Sequence, residues 1–315
     1  GSVPGQRRVI TGETAAADIV AMTRPDIVVN GISGAAGFLP SLQAVRQGSV
    51  LALANKESLV IGGAFLTQEA RRHRATLIPV DSEHSAVFQC LAGERPEEVS
   101  RIFLTASGGP FRTRPKETFP DITPEEALSH PTWSMGKRIT IDSATMMNKG
   151  LEIIEAYWLF GVDLSRIQVV VHPQSIVHSM VEFRDMSIKA QLGVPDMRSA
   201  IAYALSWPSR MELDLKPLDP AAMKKLEFFP PDEDKFPALE LARASMEQPR
   251  TLPCVMNAAD ETAVDGFLKR RIRFDGIIDI VRKTMDKLAG SRVSSPEVLI
   301  ELDRESRKIA GNMIP

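Results

Sequence analysis

Two cysteines, Cys90 and Cys254, in 315 residues are too few for a disulfide framework or a thiolate metal site. Their scarcity points to a reducing compartment, with a cytoplasmic location expected. No apolar run approaches the ~18–20 residues of a membrane span, so no membrane role is expected. Neither sign of charge is in excess: 38 Lys and Arg stand against 40 Asp and Glu, a formal net charge of −2. Such a balance offers nucleic acid no general attraction. Neither G-x-G-x-x-G nor G-x-x-x-x-G-K-[ST] occurs. Gly31, Gly34 and Gly37, spaced by three, are a weak nucleotide signal, and a tight turn with close helix packing explains them better. Internal repeats and low-complexity tracts do not occur, and no signal peptide is expected. The opening Gly1-Ser2 reads as the remnant of a proteolytic cleavage, so the native N-terminus is expected to be absent.

What is present is a soluble globular composition, 43% apolar and 25% charged, long enough for two or three domains. Buried strands are predicted at 26–32, 50–54 and 75–80, with helices at 40–47 and 64–73 between them. That alternation implies a parallel sheet with right-handed crossovers, and ligands bind such sheets at the carboxyl ends of the strands. Asn55-Lys56-Glu57 and the turn after Val80 both lie at such ends. In Asp81-Ser82-Glu83-His84 the two carboxylates would share one side of a continuing strand. A hard divalent cation between them would offset their repulsion; an ion pair with Lys56 or plain solvation would do so as well.

Another strand, 102–106, ends in Ser107-Gly108-Gly109. Glycines there let backbone N–H groups approach an anion, or simply serve an unusual turn. Residues 112–128 read as an exposed excursion with a short helix near Pro124. The segment Ser129 to Gly136 carries His130, Trp133 and Met135 between Pro131 and Gly136. It reads as a loop that closes over a ligand, or as one whose tryptophan docks on the core.

The run Ile139-Thr140-Ile141 predicts a strand leading into Asp142-Ser-Ala-Thr-Met-Met-Asn-Lys-Gly-Leu-Glu152. There Ser143 and Thr145 are candidate caps. Leu151, Ile154 and Trp158 form the buried stripe of a helix, and Glu152 and Glu155 share a different face. A helix start with hydroxyls, Asn148 and Lys149 suits an oxyanion, and Glu152 could hold a metal beside it. An ordinary capped helix with a solvated glutamate pair has the same pattern. Three more strands, 166–171, 176–183 and 187–192, are joined by short turns and expected to be antiparallel. His172 and His178 read as structural. Prolines crowd 207–236, a predicted linker. The last eighty residues predict four helices, starting at Pro237, Asn257, Asp275 and Ser295-Pro296, that brace the architecture.

Taken together, three carboxylates at Asp81, Glu83 and Glu152 suit Mg²⁺ or Mn²⁺, and three anion-friendly elements surround them. These residues describe a metal-dependent enzyme for a small phosphorylated, oxygen-rich substrate, with the metal acting as a Lewis acid.

The stretches Leu53-Ala-Asn-Lys-Glu-Ser-Leu59, Pro79-Val-Asp-Ser-Glu-His84, Ser107-Gly-Gly-Pro-Phe111, His130-Pro-Thr-Trp-Ser-Met-Gly136, Asp142 to Glu152 and His172-Pro-Gln-Ser175 resemble the 1-deoxy-D-xylulose 5-phosphate reductoisomerase family, from about Ile27 to the C-terminus. The resemblance implies an α/β fold: a parallel Rossmann-like N-terminal part (1–80), an α/β catalytic domain (81–206), a linker (207–236) and a C-terminal helical bundle (237–315). Usually the assembly is a homodimer. The implied reaction turns 1-deoxy-D-xylulose 5-phosphate into 2-C-methyl-D-erythritol 4-phosphate, with a divalent metal and NADPH as cofactors. It is a step of non-mevalonate isoprenoid precursor synthesis.

By motif position, Asp81, Glu83 and Glu152 would be the metal ligands. Ser107, Ser143, Asn148 and Lys149 would hold the substrate, mostly its phosphate. Lys56, Ser82 and Glu83 would face its hydroxyl and carbonyl end. His130 would contact substrate and Trp133 cover it. Asn55, Glu57 and Gly136 would lie on the cofactor side. The family's Gly-Ser/Thr-Thr-Gly-Ser-Ile-Gly fingerprint for the NADPH phosphates does not occur before Asp26, so the cofactor site is expected to be incomplete in this chain. Two rival readings follow: a fragment that binds metal and phosphate without turnover, and a metal-dependent sugar-phosphate aldolase or isomerase without a nicotinamide step.

Overall fold

The computed structural model describes residues 9–247 and 251–315; Gly1-Ser2 lies outside the described residues. Helix α1 (Ala15–Thr23) leads into β1 (Ile27–Asn30), α2 (Phe38–Arg46), β2 (Val50–Leu53), α3 (Glu57–His73) and β3 (Leu77–Pro79). The strands pair in the order β1-β2-β3, parallel throughout. Leu51, Ala52 and Leu53 of the central strand are all fully buried, as a strand covered on both faces requires.

Two boundaries differ from expectation, and both matter for the site. Helix α3 begins at Glu57 rather than Ala64, so Lys56 stands at a helix N-terminus. The segment after Val80 does not continue as a strand. It opens helix α4 (Ser82–Cys90), with Asp81 as the N-cap accepting from the Glu83 backbone N–H. Asp81 and Glu83 therefore converge through a capped turn and not through strand alternation.

The second sheet begins with β4 (Val99–Ala106). After it come α5 (Pro124–Ala127), α6 (Lys137–Ala144), α7 (Met147–Phe160), β5 (Ile167–Val171), β6 (Val177–Phe183), β7 (Ile188–Leu192) and α8 (Met197–Ser206). Its order is β5-β4-β6-β7. Only part of the expected antiparallel trio forms: β6 and β7 pair antiparallel, but β5 runs parallel to β4 on its far side. Helices α6 and α7 provide the crossover that a parallel pair needs. Ile139-Thr140-Ile141, expected as a strand, lies inside α6. Burial of Thr140, Ile141 and Ala144 along one side outweighs their local β preference. Residues 112–128 are also less exposed than expected, since Phe119, Ile122 and Ala127 enter the core.

Residues 207–236 hold no helix and reach back to the sheet edge, where Phe229 bridges Val171. The C-terminal helices are α9 (Ala238–Ser245), α10 (Leu252–Leu268), α11 (Phe274–Lys287) and α12 (Pro296–Gly311). Ser295 caps α12 as expected, accepting from the Val298 N–H, with Pro296 in the first turn. Asn257 does not cap α10 but sits fully buried inside it, and Asp275 lies in the first turn of α11 behind the N-cap Arg273. One continuous core joins this bundle to α7 and β4 through Ile153, Ile154, Leu104 and Phe267.

Helices α3 and α7 approach closely at Gly63, where an added Cβ would lie 2.3 Å from Trp158 Cδ1. Alanine would favour the helix by about 1 kcal/mol, but overpacking at that distance costs about 1–3 kcal/mol. Gly63→Ala should therefore lower the urea midpoint with an unchanged m-value, and a midpoint at or above wild type would refute the close-approach argument.

Candidate functional site

All ten residues expected to meet the substrate line one cavity of about 340 Å³. Helices α3, α4, α6 and α7, the turn after β4 and the 129–136 loop deliver them. Lys56 comes from the start of α3 and Asp81, Ser82 and Glu83 from the start of α4. Ser107 follows β4. Ser143 ends α6, while Asn148, Lys149 and Glu152 lie on α7. Ser143 and Thr145 were expected as caps of a single helix. Instead two helices meet at Met146, a non-glycine residue with φ 63°. Such a left-handed residue costs about 1–2 kcal/mol. The kink lets both helices aim polar side chains into the same space. The turn after β4 closes on it from the other side, for at Gly109 (φ 67°) a Cβ would lie 2.7 Å from the Ser143 carbonyl oxygen.

Asp81, Glu83 and Glu152 each bring a carboxylate oxygen within 4.8 Å of the others. Two ammonium groups stand among them. Lys56 Nζ lies 2.5 Å from Asp81 and 3.2 Å from Glu152. Lys149 Nζ lies 2.9 Å from Glu83 and 2.5 Å from Glu152. Asn148 donates to Glu152 at 2.6 Å and accepts from Lys56 at 2.7 Å. Burial would keep Asp81 protonated, but Lys56, His84 and Lys149 together outweigh it and hold the carboxyl well below the usual range. Glu83 goes the other way: burial, helped by Glu152 and Asp81 and opposed by Lys149, pushes it up to about 7. Three carboxylates against two ammonium groups form an oxygen-rich centre one negative charge in excess, which suits a hard divalent cation.

A cation held here competes with the Glu83 proton. Its affinity should rise about tenfold per pH unit from about pH 5 to about 7 and then level off, following one displaced proton. Calorimetry with Mn²⁺ across that range tests this, and a flat profile would remove Glu83 from the ligand set.

Beneath this layer His84 is fully buried, its Nε2 3.0 Å from the Glu152 carbonyl oxygen. Its Nδ1 faces Glu155 at 3.5 Å and Asp81 at 3.7 Å. Burial alone would lower its pKa, but the two carboxylates outweigh that and push it up to about 9. The alternative of a solvated glutamate pair does not hold: Glu155 is completely buried, and both glutamates point inward.

Across the cavity His130 Nδ1 accepts the backbone N–H groups of Thr132 and Trp133. Nδ1 is therefore unprotonated, and Nε2–H donates to Ser107 Oγ at 3.0 Å. Burial lowers the His130 pKa, so the ring is neutral. Trp133 and Met135 line the same wall.

His172 is structural as expected, donating Nδ1–H to the Glu227 carbonyl and accepting the Ile176 N–H on Nε2. His178, read the same way, is buried against the backbone of Gly193 and Val194 and also lines the cavity beside Trp133, as do Ser175 and Met197. No spacing rule marked these three. Ser175, in the His172-Pro-Gln-Ser175 motif, has φ 51°, which sequence alone does not reveal.

The expected cofactor-side residues lie outside the cavity. Asn55 is buried, donating to the Ile32 and Gly34 carbonyls. Glu57 accepts from the Gly34 N–H and from Arg138. Gly136 is exposed as the N-cap of α6. Gly31, Ile32 and Ser33, at the carboxyl end of β1, are exposed.

Fold and site define an enzyme of the α/β class with a centre suited to a divalent cation. Family models for 1-deoxy-D-xylulose 5-phosphate reductoisomerase match residues 3–63, and its C-terminal domain models match 77–160 and 192–309. A relative of that name from Chloroherpeton thalassium is 50% identical over 300 residues, covering 95% of this chain and 78% of its own. One from Prosthecochloris aestuarii is 52% identical over 285 residues, 90% of this chain and 75% of its own. The Zymomonas mobilis enzyme, solved with NADPH, superimposes with a TM-score of 0.89 at 46% identity, covering 96% of this chain and 78% of that one. Another, solved with NADPH, fosmidomycin and magnesium, gives 0.88 at 40% identity, covering 95% and 77%. The chain belongs to the 1-deoxy-D-xylulose 5-phosphate reductoisomerase family. The likeness begins at residue 3 rather than near Ile27.

Proposed function

We propose that the chain converts 1-deoxy-D-xylulose 5-phosphate to 2-C-methyl-D-erythritol 4-phosphate with a divalent metal and NADPH. The observation that carries this reading is the presence, within one cavity, of a three-carboxylate centre and an adjoining set of hydroxyls, amide and ammonium. Asp81, Glu83 and Glu152 would hold Mg²⁺ or Mn²⁺. The chemistry supplied by the bound metal is Lewis acidity toward the substrate's oxygens, and by NADPH a hydride. Ser107, Ser143, Asn148 and Lys149 bind the phosphate through charge-assisted and neutral hydrogen bonds. Lys56, Ser82 and Glu83 face the carbonyl and hydroxyl end, where Lys56, held protonated by Asp81 and Glu152 against its burial, stabilises developing oxyanion charge. His130 orients substrate through Nε2–H, and Trp133 excludes water as loop 129–136 closes. Asn55, Glu57 and Gly136 support the nicotinamide side, and the exposed turn Gly31–Ser33 suits a dinucleotide at the strand ends.

The domain plan 1–80, 81–206, 207–236 and 237–315 is part of this reading. So is a homodimer, supported by β7 as the outer strand of its sheet, exposing Ile188 and Leu192, and by the exposed Ile201 and Leu205 of α8. Light scattering that gives the monomer mass at every concentration would remove it. Among the described residues no helix is long and apolar enough to cross a membrane.

The decisive experiment is metal-dependent NADPH oxidation in the presence of the sugar phosphate, with the product identified. An aldolase or isomerase would alter the sugar without consuming NADPH. A binding fragment would hold a hydroxamate-bearing phosphonate and turn nothing over.

A further inference from the structure

Outside the cavity the most heavily built charged cluster centres on Arg138, in the first turn of α6. Its guanidinium joins three parts of the fold. Nη1 donates to Glu57 at 2.6 Å and to Glu261 at 3.0 Å, and Nη2 donates to Asn257 at 2.8 Å. Nε faces Asp142 at 3.5 Å, and Nη2 lies 3.6 Å from Asp260. Asp142 and Asp260 are buried and pair with each other, so that burial and Asp260 hold the Asp142 carboxyl well above its usual range. Arg138 is the cation they face. Arg307 pairs with Glu261 at 2.8 Å from the far side and does not replace it.

Its partners place this cluster in functional context. Glu57 follows Lys56 in the chain and accepts the Gly34 N–H. Asn257, Asp260 and Glu261 belong to α10. Helix α6 begins where the 129–136 loop ends and carries Ser143 in its last turn. Whatever fixes α6 against α3 therefore fixes the spacing from Lys56 to Ser143 and the root of the loop.

The geometry points to Arg138 as a positioning residue that, through Glu57, Asp142 and α10, sets Ser143 and the 129–136 loop against Lys56. This rests on the proposal that Ser143 and the loop contact the phosphorylated substrate. The metal ligands sit on α4 and α7, which Arg138 does not touch, so its influence should divide the two ligands. It also gives the bracing helices a part in the chemistry that their sequence did not suggest.

The test measures two dissociation constants on the folded chain, for Mn²⁺ and for a hydroxamate-bearing phosphonate in saturating Mn²⁺. Wild type tests the functional reading; comparison with the variants tests this one. Arg138→Met should raise the phosphonate constant about tenfold or more, as expected for a misplaced binding group, with Mn²⁺ affinity unchanged. Arg138→Lys, which keeps the buried charge, should restore most of the loss. Asn257→Ala, which removes one uncharged partner and leaves the charges in place, should show the same selective loss on a smaller scale even where Arg138→Met does not fold. A purely structural role would lower the melting temperature of each variant and leave the phosphonate constant of the folded protein at its wild-type value. That result in Asn257→Ala, or equal loss of both ligands in Arg138→Met, overturns the proposal.

Discussion

Glu152→Gln should weaken Mn²⁺ binding by about 100-fold or more, beyond the 10–100-fold typical of residues that only orient a ligand. Glu152 is 1% exposed and central to the carboxylate group, receiving Lys56, Lys149 and Asn148 together. Glutamine keeps the shape and removes the charge. In the metal-free protein the effect should be small. Three carboxylates against two ammonium groups become two against two, and Glu83, relieved of its neighbour's repulsion, ionises more readily. The variant should therefore melt near the wild-type temperature without metal and gain far less from added Mn²⁺. Calorimetry gives the affinity and thermal denaturation the stability. Wild-type affinity in the variant would exclude Glu152 as a ligand, and a large loss of metal-free stability would show that its role is structural.

The sequence carried most of the site and less of the route by which it is assembled. Asp81 and Glu83 were expected together because strand side chains alternate, yet a helix cap brings them together. Residue type and short spacing decide convergence in either geometry, so the site was legible while the local structure was not. Ile139-Thr140-Ile141 failed for a different reason. Its β-branched character is local, and the burial that makes it helical is supplied by elements distant in the chain. The parallel placement of β5 against β4 is likewise a tertiary fact, since the short turns around β6 favour a hairpin. Glu155 and His84 escaped notice because a glutamate three residues from another reads as surface. Only packing shows that both glutamates of α7 are buried and that a histidine of α4 packs against them. Arg138 carried no signal at all: its hydrogen-bond partners lie 81 to 123 residues away.

Lys149→Met should move the two ligands in opposite directions. Lys149 is 3% exposed and bridges Glu83 and Glu152. Burial works against its charge, but Glu152 and Glu83 outweigh that and raise its pKa. Methionine fills similar space without an ammonium group. A phosphonate that relies on that group loses a charge-assisted hydrogen bond, worth about 1.5–3 kcal/mol, so its affinity should fall about 10–100-fold. Mn²⁺ no longer competes with the ammonium for Glu83 and Glu152, and its affinity should rise several-fold. The comparison belongs at about pH 8 or above, because Glu83 without Lys149 holds its proton to higher pH than the wild-type carboxyl. Without metal the variant keeps three carboxylates facing Lys56 alone, and breaking a buried pair costs about 3–5 kcal/mol. Saturating Mn²⁺ should return much of that stability, since a bound cation takes over the neutralising role. Parallel weakening of both ligands would mean that Lys149 only maintains the architecture. A weaker phosphonate with a tighter metal would mean that it stands in the cation's place when the metal is absent and on the substrate's phosphate when both ligands are bound.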